Sequence, residues 1–253
     1  MGADAELTAR FLSAGVDWII PDWPAPAPVR AFSTTRNGVA GGAVDFAREH
    51  RDDTARALLR RFVPVEPLWL AQVHGATIVS ADIGHGRAPE ADGSVSRVPG
   101  NVCVVLSADC LPVLFADRRG RVVAAAHAGW RGLASGVLEA AVGSMRAGPA
   151  EVLAWLGPAI GPSAFEVGAD VHAAFCDRDP GASACFVATR EGKWHGDLYA
   201  LARRALARAG VDAAAIHGGG RCTYSENGAF YSYRRGGAGR DARMATLIWL
   251  APD

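Results

Sequence analysis

Three residues of this chain carry side chains that ligate metals or do nucleophilic chemistry, and each follows an apolar run. His74 follows "LWLAQV", Cys110 follows "VCVVLSAD" and His127 follows "VVAAA". One cysteine and two histidines suit a catalytic zinc, which takes three protein ligands and keeps a further position open. Thiolate and imidazole bind copper as well. Without any metal, Cys110 and His127 would make a thiolate nucleophile and its base. Core filler is the third reading for any one of them. The gaps of 36 and 17 residues match no finger-type ligand spacing, so only the fold can make the three converge.

The neighbours bear on this choice. Asp109 stands beside Cys110, where a carboxylate serves as partner to a ligand or as a proton carrier. "HAGWRG" (127–132) joins a strand to a helix through Gly129 and Gly132. Such a turn admits ligand atoms close to the backbone, and a helix N-terminus favours an anion. Arg131 adds a fork of donors suited to phosphate. A plain tight turn explains the two glycines equally well. Gln72 falls two residues before His74, so on a strand both would point to one face.

The elements that must position these residues are legible as alternating runs. Proline-rich "IIPDWPAPAPVR" (19–30) predicts an extended lead-in to a strand near 29–34. Helical spacing covers 52–62. Strand signals follow at 67–75, 76–82, 101–107, 111–116 and 122–126, with a glycine-rich loop at 84–93. His74, Cys110 and His127 are thus expected at strand ends, where side chains leave the core yet stay held. A helix is predicted over 129–148, a strand at "EVLAWLGPAI", helices at 169–175 and 198–210, and a final strand at "MATLIWL" (244–250). Strands apolar on both faces imply sheets covered on both sides. The expected fold is therefore α/β or α+β in a single domain, with residues 1–28 as lead-in and 29–253 as the domain.

Composition removes other classes. Acidic and basic residues balance at 26 each, so no net field favours nucleic acid or an anionic membrane. No apolar run approaches the roughly 18 residues of a membrane span. The N-terminus lacks the basic and apolar regions of a secretory signal. Five cysteines without a CxxC pair argue for a reducing cytoplasm. A monomer is the default expectation.

Beyond these readings, the chain resembles the laccase-domain family, once labelled multicopper polyphenol oxidases and later assigned purine nucleoside phosphorylase and adenosine deaminase activities. The likeness runs through "FSTTRNG", "QVHG", "ADG", "ADCLPVLFAD", "AAHAGWRG", "LGPAIGPSAFEVG", "DLYALARRALARAGV" and "CTYSENGAFYSYRR". It implies a layered α-β-β-α fold with mixed sheets, similar to cysteine hydrolases, and a zinc held by His74, Cys110 and His127. It implies phosphorolysis of adenosine, inosine, guanosine and methylthioadenosine, and hydrolytic deamination of adenosine. Water activated by the zinc would attack C6 of adenine, with Asp109 moving the proton. Phosphate would be held by Arg36, Arg131 or Arg234, with Gln72 near the base and Tyr231 or Tyr233 stacking on it. The chain departs from the family pattern at Asp45, where Asn is usual, at Ser163 for Cys, at Ala202 for Asn, and by a short insertion before Met244. The first three put substrate fit, or the local shape of the pocket, in question.

Three rivals remain. A cysteine hydrolase, for example on cell-wall peptide precursors, would use Cys110 and His127 alone. A copper phenol oxidase would need several coppers, and seven histidines without an HxH pair supply few ligands. A zinc-stabilised binding module would normally close its metal with four protein ligands. Cys103 and Cys222 are expected to pack, and Cys176 and Cys185 show no partner pattern. Of the remaining histidines, His85 in "GHGR" sits in a loop able to fold over a pocket.

Overall fold

The structure is a computed structural model that describes residues 3–47, 53–84, 87–237 and 241–252. His50 and His85 lie outside the described residues. The elements in chain order are α1 (Ala3–Ala14), β1 (Val29–Ser33), α2 (Asp53–Leu59), β2 (Ile78–Ser80), β3 (Gly93–Ser96) and β4 (Cys103–Ser107). Then come β5 (Leu111–Asp117), β6 (Val123–Ala128), α3 (Trp130–Ser135), α4 (Val137–Met145), β7 (Val152–Leu156) and β8 (Glu166–Gly168). The chain closes with α5 (Ala169–Cys176), β9 (Phe186–Arg190), β10 (Lys193–Gly196), α6 (Leu198–Arg208), β11 (Ile216–Gly218), α7 (Tyr233–Gly236) and β12 (Met244–Leu250).

Two sheets make the middle. One has six strands in the order β11-β7-β5-β6-β3-β2, with parallel pairs at its two edges and antiparallel pairs between them. The other is the antiparallel trio β1-β12-β4. Strand alternation sorts the side chains into three apolar layers. Leu114, Ala116, Val123, Ala125 and Trp155 of the large sheet meet Val29, Ala31, Val105, Ile248 and Leu250 of the small one. On the opposite face of the large sheet, Val113, Phe115, Ala124 and Ala126 pack against Leu133, Leu138, Leu201 and Leu206 of α3, α4 and α6. On the far face of the small sheet, Phe32, Val104, Leu247 and Trp249 pack against Leu7 and Phe11 of α1 and Leu58 and Leu59 of α2. The order of layers is α-β-β-α in one mixed α/β domain, as expected.

Three local expectations change. The stretch 67–75 forms no strand: its ladder pairing is limited to the isolated bridges Leu68↔Cys103 and Ala71↔Glu90. The helix predicted over 129–148 is two helices, because Gly136 takes φ +93, a left-handed turn that glycine tolerates and a continued helix forbids. Residues ahead of 29 hold more than a lead-in, since α1 buries Leu7 and Phe11 in the outer core. A third sheet, β8-β10-β9, went unseen because its strands are short and β9 buries only Phe186, leaving no alternation to read. The α6 start was legible: the Asp197 side chain accepts from the Ala200 N–H, as an N-cap does.

Candidate metal centre

His127 sits inside β6, one residue before its end, on the face that also carries Val123 and Ala125. It pairs with Pro112 of β5 on one side, its N–H donates to the Asp92 carbonyl at 2.6 Å on the other, and its side chain is buried. Cys110 lies in the three-residue turn between β4 and β5, immediately before Leu111. His74 lies in an irregular loop with φ +62, a left-handed backbone uncommon outside glycine and asparagine. The ligand atoms of the three residues all lie within 4.8 Å of one another, with Cys110 Sγ 4.0 Å from His74 Nε2.

Asp92, just before β3, explains how a loop and a strand agree on one geometry. Its fully buried carboxylate accepts from His127 Nδ1 at 2.9 Å. It also accepts from the backbone N–H groups of Val73 (3.2 Å), His74 (2.9 Å) and Gly75 (2.7 Å). Three successive N–H groups wrapping one carboxylate stabilise the left-handed turn at His74. The bond to Nδ1 leaves His127 Nε2 free to face the other two ligands. Burial pushes the Asp92 carboxyl up, but the His127 ring and the loop N–H groups hold it below its ordinary value.

Gly129 completes the cluster by what it lacks. A Cβ there would come within 2.9 Å of His74 Cδ2 and 3.0 Å of Cys110 Sγ. A Cβ on Gly132 would come within 2.8 Å of the Gly75 carbonyl. Both glycines are therefore places of close approach, more than a tight turn. Burial pushes the Cys110 thiol up, but the charges and hydrogen bonds of His127 and then His74 pull it down further, to about 6. Burial would lower His127, yet the Cys110 thiolate and the Asp92 carboxylate raise it to about 9. Two imidazole nitrogens and a thiol already biased to thiolate, in a notch cleared by glycine, fit a zinc ion. Among the described residues this is the only such cluster of His, Cys, Asp and Glu.

The three ligands line a cavity of about 770 Å³, within the range of small-molecule sites. Of the other residues predicted from sequence, Gln72, Asp109, Arg131, Arg234 and Tyr233 also line it. Arg36 does not: its guanidinium donates to the Asn227 carbonyl and lies over the Tyr231 ring. Gln72 makes two bonds with the backbone of Leu106, donating to its carbonyl and accepting from its N–H. It thereby replaces the strand pairing that the loop lacks. Both Asp109 oxygens are occupied, by Thr223 Oγ1, Ser232 Oγ and the Arg234 N–H. Trp130, Glu166, Asp170 and Arg243 join the lining, and sequence reasoning named none of them. Asp92 was missed as well, although it lies within the "ADG" motif; a buried aspartate just before a strand was the available signal.

The departures from the family pattern fall in different places. Ala202 is buried in the core of α6, and Ser163 is exposed outside the cavity lining. Asp45 Oδ1 accepts from the Ala47 and Arg243 N–H groups, next to two lining residues. Cys103 and Cys185 are buried, and all five cysteines are free.

The class defined so far is a layered α/β domain whose candidate metal site, a His-Cys-His cluster, opens into a small-molecule cavity. The family described as multi-copper polyphenol oxidoreductase laccase matches residues 31–251, and the chain belongs to it. Its curated relatives carry a different name. A purine nucleoside phosphorylase of Pseudomonas aeruginosa is 50% identical over 92% of this chain and 98% of its own. Purine nucleoside phosphorylase YfiH of Escherichia coli is 46% identical over 92% and 98%. Among solved structures, a Neisseria meningitidis protein matches with TM-score 0.87 at 44% identity, over 93% of this chain and all of that one. YlmD from Geobacillus stearothermophilus matches with TM-score 0.84 at 28% identity, over 93% and 96%. No helix among the described residues is long and apolar enough to cross a membrane.

Proposed function

We propose that the chain is a zinc-dependent enzyme of purine nucleosides, acting by phosphorolysis of adenosine, inosine, guanosine and methylthioadenosine and by hydrolytic deamination of adenosine. The observation that carries this reading is the opening of the ligand trio onto a 770 Å³ cavity that Arg131 and Arg234 also line. The relatives' name supports the substrate class. Zinc on His74, Cys110 and His127 would supply Lewis acidity.

The chain's own residues supply the rest. Arg131, over the Trp130 ring, and Arg234, bonded to the Glu166 carbonyl, offer guanidinium forks for phosphate, whose attack at C1′ of the ribose releases the base. Trp130 and Tyr233 present rings on the cavity wall for a purine. Asp92 holds His127 in the tautomer that leaves Nε2 for the metal. Arg36 stands outside the lining, so the phosphate role passes to the other two. We take the enzyme to be a monomer of a reducing cytoplasm.

The test is metal content and product analysis together. Wild type purified without chelator or added metal is expected to carry near-stoichiometric zinc and to form adenine, inosine or hypoxanthine from adenosine plus phosphate. Cys110→Ala is expected to lose both. One observation favours a second reading: Asp92, His127 and Cys110 stand in line, with the thiol lowered to about 6. That is the arrangement of a cysteine hydrolase. Metal-free wild type that cleaves an ester or amide through Cys110 would make that reading the correct one.

A further inference from the structure

We infer that Asp109 is a positioning residue that ties the ligand Cys110 to the arm 222–235, so that metal affinity and phosphate affinity rise and fall together. The inference rests on the reading above for the identity of the anion. It starts from how completely Asp109 is engaged. The residue is 9% exposed with φ +86, a left-handed backbone uncommon outside glycine, asparagine and aspartate. Its carboxylate accepts from Thr223 Oγ1 at 2.6 Å, Ser232 Oγ at 2.9 Å and the Arg234 N–H at 2.7 Å. Its carbonyl accepts from the Ile160 N–H at 2.9 Å. Four partners distant in sequence thus meet on the residue that precedes the metal-ligating thiol.

The far end of the connection is equally built. Arg235 donates to the carbonyls of Thr223, Tyr224 and Phe230, which folds the arm back on itself. Ser232, besides donating to Asp109, caps α7 by accepting from the Arg235 N–H. Arg234, whose backbone sits on Asp109, sends its guanidinium along the cavity wall to the Glu166 carbonyl at 3.1 Å. A displacement of Cys110 therefore reaches Arg234 through one side chain. Coupling of this kind is reciprocal: whatever the metal adds to phosphate affinity, phosphate adds to metal affinity.

Thr223→Val and Ser232→Ala each remove one of the three bonds to the Asp109 carboxylate without changing a residue that lines the cavity, and Asp109→Asn keeps the shape while weakening acceptance. Zinc affinity is read by chelator competition, and phosphorolysis as KM for phosphate separately from kcat. The two arm variants should weaken zinc and raise the phosphate KM by about five- to tenfold each, with kcat little changed. Asp109→Asn should do the same, more strongly. If Asp109→Asn instead loses kcat by about a hundredfold or more at unchanged KM while the arm variants behave as wild type, Asp109 carries a proton and the inference is overturned. If wild type binds zinc but shows no phosphorolysis, the reading of the substrate fails, and zinc affinity alone decides. Weaker zinc in the two arm variants then upholds the connection, and unchanged zinc overturns it.

Discussion

The two histidines of the cluster reach the same place by opposite means. His127 is held by backbone: β6 is paired on both sides, and the side chain leaves the ladder already aimed. His74 is held by side chains: its loop has two isolated bridges, the Gln72 amide bonded to Leu106, and the Asp92 carboxylate beneath three N–H groups. Asp92 bonds to both, to the His127 ring and to the His74 N–H. The difference teaches that a ligand set can be rigid on one side and conditional on the other, with a single buried carboxylate making the two agree.

The largest break in this comparison comes from Asp92→Ala. It strips the acceptor from Val73, His74 and Gly75 and from the buried His127 ring. Removing one partner of such a buried pair destabilises by about 3–5 kcal/mol. Zinc affinity should fall about 10–100-fold, as for other partners of metal-bound histidines. Urea unfolding and chelator competition measure the two losses. Hydrogen exchange then tests the asymmetry: amides of 73–75 should open while those of Ala124–Ala126 in β6 stay protected. Equal loss in both places would show that strand and loop are not held differently.

The next effect is one of pH on the metal-free protein. Cys110, lowered from its ordinary value of 9.0 to about 6, stabilises the fold fully above 9, and this is lost as pH falls through 6. His127, raised from 6.5 to about 9, stabilises fully below 6.5, and this is lost as pH rises through 9. Both are present together only between about 6 and 9, so the urea midpoint of the metal-free protein should peak there and decline on each side. Cys110→Ala should remove the decline on the acid side and shrink the one on the alkaline side, where Asp92 still raises His127. A wild-type profile with no decline on either side would mean that thiolate and imidazolium do not pair.

This asymmetry also marks what the sequence could and could not reveal. The ladder-held part was readable, because Val123–Ala128 and Leu111–Asp117 are apolar at every position except His127 and the terminal Asp117, as buried central strands are. His127 and the β4–β5 turn with Cys110 followed from that pattern nearly in place. The loop around His74 misled, since "LWLAQVH" has the composition of a strand while its bonds go to side chains distant in sequence. Nothing local in Gln72 says that its amide will pair with Leu106, and nothing local in Asp92 says that it will gather residues 73–75. Arg36 lies outside the cavity lining, and its guanidinium meets the Asn227 carbonyl and the Tyr231 ring, partners that are again distant in sequence. Long-range side-chain bonds carry no period, so pattern reading passes over them.

The smallest effect tests the conditional side by itself. Gln72→Ala removes two bonds to the Leu106 backbone, the donated one at 2.8 Å and the accepted one at 2.7 Å. Leu106 sits in β4, whose other edge is paired with β12, so the sheet itself persists. The net loss in stability should be about 1–2 kcal/mol, since each such bond contributes roughly 1 kcal/mol. Because Asp92 still gathers the N–H groups of 73–75, His74 keeps its left-handed turn and zinc should weaken only a few-fold. Gln72→Glu separates the two bonds, for a carboxylate still accepts from the Leu106 N–H but faces its carbonyl without a hydrogen. It should therefore be less stable than wild type while retaining zinc better than Asp92→Ala. If Gln72→Ala released zinc as completely as Asp92→Ala does, the loop would be set by its pairing to β4, and the carboxylate would be a consequence of the turn instead of its cause.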